Sequence, residues 1–455
     1  MASRDPKSLT ILSAVADAAR YPRAVWGSER AYVLATIAGV VGLGNIWRFP
    51  YMAGLNGGGS FVLAYVICVL LIAIPLASLE SAAGSLGRRS PVGAFRRAAG
   101  PAGVAVGWAV LVLATAILSY YLVVTGWTLG YALDAVRGEV RLFREFVGGY
   151  TSLWLFFAVA LLVYLVLLRG VKAVEKASLY LVPVLIVIVA GLTFYALTLD
   201  GAGAARDFYF GLSGEFLTDP ATWRAAAGQA FYSIGIGQGL LLVYGSYVPA
   251  GTNLVRSTAT IAITNSAVSV IAGLMVFAVV FTFGLSPSAG SELSFTAFPR
   301  VFAVLPGGAL LAVAFFVLLF LAGFTSCLGA ATVISATVRD ELGMNLRRAA
   351  AFTVGLVVLL GIPSALSFTD LGLSIGGEPV LGRVDRLTGA GAIVVLGLAG
   401  AALLAYKLPR RRLVAAFVSD HKKIGKISFG PRLIIVWTLA LPFVAAVLYT
   451  VGTIA

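Results

Sequence analysis

The sequence predicts an all-α polytopic membrane protein, on three observations. Of its 455 residues 60% are hydrophobic and only 11% charged, against roughly 25% charged in soluble domains. Apolar runs long enough to cross a bilayer, which takes about 20 residues, recur from residue 31 onward and suffice for eleven spans. Two of those runs are broken near their middle by clusters of glycine. Helix-length runs argue against a β-barrel, whose strands alternate over about ten residues. Cys68 and Cys327 both sit inside apolar runs, so neither a disulfide framework nor a paired-cysteine metal site is available.

The spans are expected at 31–52, 60–86, 102–134, 149–168, 173–198, 221–248, 256–286, 307–338, 349–367, 386–406 and 432–453. Residues 1–30 form a cytoplasmic N-terminal segment, in which Arg4, Asp5, Lys7, Asp17, Arg20 and Arg23 interrupt any apolar core, so no cleavable signal peptide is expected. Residues 31–198 make a first group of five spans, 199–220 an extracellular loop, 221–406 a second group of five, 407–431 a basic cytoplasmic loop, and 432–455 the eleventh helix and C-terminus. With the N-terminus inside, the cytoplasmic pieces hold 24 of the 33 Lys and Arg residues. The positive-inside bias then places the C-terminus outside, at the cell membrane. The net charge of +14 is therefore a topology signal; the 407–432 stretch meets anionic lipid, and no nucleic-acid partner is expected.

The first span reads Ala38-Gly39-Val40-Val41-Gly42-Leu43-Gly44-Asn45 and the sixth Ser233-Ile234-Gly235-Ile236-Gly237-Gln238-Gly239. Glycine costs about 1 kcal/mol relative to alanine inside a helix, so three in a span favour an unwound stretch. Close packing of helices through small residues is the other reading of either span alone. Both broken spans open a group of five, the pattern of an inverted repeat with a binding site at the paired breaks. Unwound backbone is tolerated at that depth only where protein or a polar cavity satisfies it. It offers carbonyls to a cation and helix N-termini to an anionic group.

The run Gly42-Leu43-Gly44-Asn45-Ile46-Trp47-Arg48-Phe49-Pro50-Tyr51 with Asn56-Gly57-Gly58-Gly59-Ser60-Phe61 closely resembles the first-span signature of the neurotransmitter:sodium symporter family, solute carrier family 6. Ser119-Tyr120-Tyr121, Gly228-Gln229-Ala230-Phe231-Tyr232-Ser233 and Ala322-Gly323-Phe324-Thr325-Ser326 extend the likeness over nearly the whole chain. The resemblance implies a prokaryotic amino-acid symporter similar to the bacterial leucine transporter, with a 5+5 inverted repeat and unwound first and sixth helices. It implies a first sodium on Val40, Asn45, Ser233 and Asn265, and a second on Ala38, Val41, Ala322, Thr325 and Ser326. All are hard oxygen donors, as sodium requires. A Thr-Ser pair in an apolar span otherwise bonds back to its own helix.

Chloride follows from Ser269. Relatives independent of chloride often carry a carboxylate at this seventh-span position, whereas chloride-dependent ones have a neutral Ser. One helical turn from Asn265, Ser269 shares its face and joins Tyr65, Gln229 and Ser233 as donors to a halide. Two sodium ions with one substrate carboxylate leave positive charge that a chloride would offset. A small packing role for Ser269 is the other reading.

Gly42 implies an amino acid, since monoamine carriers place an Asp there. Tyr121 and the amides near Leu43 and Gly44 would hold the carboxylate. Gly39, Ile117, Tyr232, Gly235, Gln238, Ser326 and Ala330 would line the side-chain pocket, with room for a large or aromatic side chain. Arg48 with Asp385, beneath Tyr121 and Tyr232, resembles an outer gate, and Arg23 with Asp340 an inner one; such pairs are worth about 0 to 1 kcal/mol. Arg383 and Arg386 flank Asp385. Glu80 is read as a buried carboxylate bonded to the first-span break. No catalytic chemistry is expected: His421 is the only histidine, so no Ser-His-Asp set can form. A sodium-dependent sensor that binds an amino acid without moving it is the alternative, and a sodium-independent exchanger would carry Lys or a carboxylate at Thr325 or Ser326. The oligomeric state is not legible.

Overall fold

The computed structural model describes residues 24–139, 141–288 and 293–417. Its helices begin where the sequence supplies caps. Helix α1, Glu29–Val40, starts at Ser28, whose Oγ accepts from Ala31 N at 3.1 Å. It stops at Val41, whose backbone is extended, and the chain resumes as α2, Gly44–Leu55, bent by 54° from α1. The first turn of α2, Gly44–Arg48, is a π-helix.

Helix α3, Gly59–Gly87, carries a π turn over Val69–Ala73. Pro75 follows directly, and the wider turn absorbs the crowding and missing N–H that proline imposes on a helix. Helix α4, Pro91–Arg137, bends at Ala99 and Gly100, so only its part beyond Pro101 matches the expected third span. Helices α5, Thr151–Leu167, and α6, Val171–Ala196, follow. The loop expected at 199–220 folds into two short helices, Ala202–Phe210 and Gly214–Thr218.

The sixth expected span is two pieces. Helix α7, Pro220–Ile234, is capped by Asp219, which accepts from Ala221 N at 2.8 Å, and helix α8 is Leu240–Gly245. Between them Gly235, Gly237 and Gly239 have φ of 74°, 80° and 78°. That left-handed backbone is open to glycine at no steric cost, so these residues can leave the helix. Helix α9, Leu254–Thr282, α10, Gly308–Leu342, and α11, Leu346–Ala365, come next. Then come α12, Val380–Lys407, with a π stretch at Arg386–Ala392, and a short helix at Arg410–Phe417.

Among the described residues seven helices are long and apolar enough to cross a membrane, or eight when the bent α1–α2 pair counts as one span. Helix α5 is shorter. The expected eleventh span at 432–453, with His421, lies outside the described residues. α4 and α10 pack along each other and against the two broken spans. The breaks therefore lie inside protein.

Candidate functional site: two broken helices around a central cavity

The first break is held by side chains from elsewhere. Leu43 N donates to the Tyr121 hydroxyl at 2.7 Å, and Gly42 N donates to Asn45 Oδ1 at 3.0 Å. Ser326 Oγ reaches the carbonyl of Val41 at 3.5 Å. A Cβ on Gly42 would stand 2.4 Å from Ser326 Oγ and 2.5 Å from the Tyr121 hydroxyl. Glycine is required there because the site leaves no room for a side chain.

The second break is held by Glu80. Gly237 N donates to Glu80 Oε1 at 2.9 Å, which corrects the expectation that this carboxylate serves the first-span break. The physical reason is the register of α3, which packs closely on α8. Gly237 is pressed against α12, where a Cβ would lie 2.7 Å from Gly397 Cα.

Between the breaks is a cavity of about 50 Å³ lined by Gly39, Val40, Gly44, Ile117, Tyr121, Tyr232, Ser233, Gly235, Gln238, Ser326 and Ala330, and also by Leu118, Leu240 and Val333. Gly42 and Leu43 adjoin it through Tyr121 and Ser326. The sequence reading missed the last three lining residues. Leu240 matters most: its Cδ2 is 3.0 Å from where a Cβ on Gly39 would be, so the room that Gly39 leaves is taken.

The polar residues beside the cavity converge. Asn45, Asn265, Ser233 and Ser269 are all buried. Asn45 Nδ2 donates to Asn265 Oδ1 at 2.9 Å and to Ser269 Oγ at 2.7 Å. With its nitrogen turned toward them instead, the Asn265 amide donates to the carbonyls of Val40 and Ser233, each at 3.2 Å, and its oxygen accepts from Asn45 Nδ2 at 3.2 Å. Turned the other way, three oxygens from three segments meet, a set that fits a small hard cation. The second expected set is Ala38, Val41, Ala322, Thr325 and Ser326. Thr325 Oγ1 donates to Leu321 O at 2.9 Å and lies 3.2 Å from Ala322 O, while Ser326 crosses to Val41.

Around Ser269 the Tyr65 hydroxyl lies 3.0 Å from Ser233 Oγ and 3.1 Å from Ser266 Oγ. Ser266 was not anticipated. Gln229 is engaged elsewhere: its Nε2 donates to Gly44 O and its Oε1 accepts from Arg48 Nη1, both at 2.8 Å.

The charges of the expected outer gate are organised by aromatics. Arg48, 8% exposed, lies over the Tyr232 ring at 4.7 Å. Tyr120, not Arg48, donates to Asp385 Oδ1, at 2.7 Å, and its hydroxyl lies 3.5 Å from that of Tyr232. The expected direct pairing of Arg48 with Asp385 is thus corrected to a chain through Tyr232 and Tyr120, because Gln229 and Tyr120 take the two charged groups first. Arg383 and Arg386 both pair with Glu378 instead. At the expected inner gate Trp26 Nε1 donates to Tyr244 O at 3.0 Å, and Ser90 N donates to Asp340 Oδ2 at 2.6 Å. Arg23, the expected partner of Asp340, lies outside the described residues.

Fold and site together define an integral membrane transporter with a small enclosed site between two broken helices. The chain belongs to the sodium:neurotransmitter symporter family, whose model matches residues 23–141 and 149–455. It is 34% identical over 358 residues to the sodium-dependent transporter YhdH of Bacillus subtilis (strain 168), covering 75% of this chain and 78% of that one. A sodium-dependent transporter of Haemophilus influenzae is 31% identical over 367 residues, covering 76% and 80%. Among solved structures, that of MhsT in complex with L-phenylalanine superposes with a TM-score of 0.86 at 30% identity, covering 94% of this chain and 100% of that one. Sodium-coupled transport of a small molecule follows from this membership, and it disfavours a sensor that moves nothing.

Proposed function

We propose that this transporter is a secondary active symporter that couples inward sodium, with chloride, to uptake of an amino acid by alternating access. The observation that carries the reading is the packing at Gly42. A hydroxyl from α4 and one from α10 crowd against a backbone that has no side chain, so the acidic residue that would hold a substrate amine has no space. A substrate that brings its own carboxylate suits that geometry, with the Tyr121 O–H and the Gly44 amide as its donors, the Leu43 N–H being already given to the Tyr121 oxygen. The solved relative's L-phenylalanine is in keeping with it.

Two sodium sites on the residue groups around Asn265 and Thr325 would supply charge balance for the carboxylate. Tyr65, Ser233 and Ser269, joined by Ser266, would hold a chloride, with Gln229 behind them. Ser269 is neutral and buried, so no carboxylate at that position offsets the sodium charge. In this reading the chain has eleven spans in a 5+5 inverted repeat, with its N-terminus cytoplasmic and its C-terminus extracellular. The first, second, sixth and seventh spans rock against the rest. Arg48, Tyr232, Tyr120 and Asp385 close the outer side, and Arg23 with Asp340 the inner.

Uptake of a labelled amino-acid mixture into proteoliposomes under an inward sodium gradient tests this, with chloride present or replaced by gluconate. Accumulation that needs both ions is expected, and the retained label names the substrate. Accumulation indifferent to chloride would remove the anion site; binding without accumulation would remove symport.

A further inference from the structure

The polar side chains lining the cavity differ in one respect. Ser233, Ser326, Tyr121 and Tyr232 each have a protein partner for the hydroxyl. Gln238 lines the same cavity and is half-buried, yet its side-chain amide has no hydrogen-bond partner among the described residues; only its backbone N–H bonds, to Gly235 O at 3.4 Å. A primary amide offers two donors and an acceptor with two lone pairs. A substrate that seals the cavity must replace the water on those positions or leave them unpaired, and a site built to hydrogen-bond a substrate group discriminates strongly against the analogue lacking it.

Two residues on, Leu240 limits size. It is the first residue of α8 and is 5% exposed. Its methyl groups lie 3.0 and 3.4 Å from the Cβ position of Gly39, and one is 3.2 Å from that of Gly329. The preceding Gly239 is hemmed in by Pro91, Val110 and Val333, each within 3.3 Å of its own Cβ position. With the backbone fixed on one side and glycines on the other, the leucine fills the depth that Gly39 and Gly235 would otherwise open.

We propose that Gln238 and Leu240 together set substrate choice, so that the site takes an amino acid of intermediate size whose side chain ends in a hydrogen-bonding group, ahead of an apolar side chain of the same shape. This rests on the amino-acid reading above and deepens it. Glutamine against methionine, and threonine against valine, are the matched pairs that isolate the effect, since each differs mainly in polar atoms at the tip.

The test is sodium-driven uptake by the full-length protein in proteoliposomes, measured as Vmax/KM for each pair. Glutamine is expected to exceed methionine by at least tenfold. Gln238→Met should reverse that order, with Gln238→Leu as a second replacement should the first fail to fold. Leu240→Ala should keep the polar preference and raise phenylalanine uptake at least fivefold. Stabilisation of each purified variant by sodium on heating confirms that the ion sites are intact. Methionine carried as well as glutamine by the unaltered protein, or a ratio unmoved by both Gln238 substitutions, overturns the inference while leaving amino-acid transport standing. No rise with phenylalanine overturns the part given to Leu240. Failure of every amino acid to accumulate overturns the amino-acid reading itself.

Discussion

The Tyr121 hydroxyl accepts the backbone N–H of Leu43 at 2.7 Å, so α4 holds the first break in its unwound form. The bond joins residues 78 positions apart and spends a hydroxyl lone pair on an amide that a continuous helix would have used. The O–H hydrogen is left free to donate, in the proposed reading to the substrate carboxylate. Tyr121→Phe removes both interactions. Because a hydrogen bond to a charged group is worth about 1.5 to 3 kcal/mol, substrate affinity should fall about tenfold or more. Equilibrium binding to the purified variant measures it, and unchanged affinity would show that the phenol holds only the backbone.

Gly42→Ala places a methyl group against Ser326 Oγ and the Tyr121 hydroxyl, at 2.4 and 2.5 Å before any adjustment. Overpacking of this kind costs about 1 to 3 kcal/mol, and here it falls on the substrate-binding conformation. At least tenfold weaker substrate binding is expected, with the fold retained; circular dichroism and binding on the same preparation check both.

Glu80 accepts from Gly237 N, and its second oxygen has no partner among the described residues. Glu80→Gln keeps an acceptor for that amide and should leave the melting temperature within a few degrees of the unaltered protein. Glu80→Leu strands the N–H in a buried site, at about 1 to 3 kcal/mol, and should lower the melting temperature clearly. Equal melting temperatures for the two variants would show that the contact contributes nothing to holding the sixth-span break.

Ser269→Glu supplies a fixed negative charge beside Asn45 and Asn265. Uptake should then persist in gluconate, where uptake by the unaltered protein should drop at least tenfold. Paired transport assays with and without chloride read this directly, and a variant that still requires chloride would move the anion elsewhere.

Tyr120→Phe deletes the donor that holds Asp385 and, if the proposed outer gate closes through that bond, should slow transport several-fold with little change in substrate affinity, because Tyr120 does not line the cavity. Separate determination of Vmax and binding affinity distinguishes this from a binding defect.

Much of the site was legible in the sequence because its signals are local. Glycine clusters at Gly39–Gly44 and Gly235–Gly239 mark where a helix can unwind, and Ser269 can be placed over Asn265 by counting along intact helix. Leu240 could not be placed in that way. Helical periodicity does not carry across three left-handed glycines, so the face it presents is fixed only by the path of the unwound chain. Tyr120 and Ser266 were missed for another reason: each neighbours a residue that was read, Tyr121 and Asn265, and only the packed structure shows that both adjacent faces are used. The π turns at Val69–Ala73 and Arg386–Ala392 shift register within helices that look uninterrupted in hydropathy. Arg48 and Asp385 are paired by resemblance to an outer gate, whereas hydrogen-bond geometry gives them to Gln229 and Tyr120.

In the proposed reading a carboxylate-bearing substrate and sodium share one site at the paired breaks. Linkage then requires each to raise the affinity of the other by the same factor. The most direct measurement is binding of the transported amino acid to the purified protein across a sodium titration, with potassium keeping ionic strength constant, in the unaltered chain and in Asn265→Ala. Affinity should rise steeply with sodium in the former and far less in the latter. Equal affinity in sodium and potassium, or a sodium dependence untouched by Asn265→Ala, would contradict it.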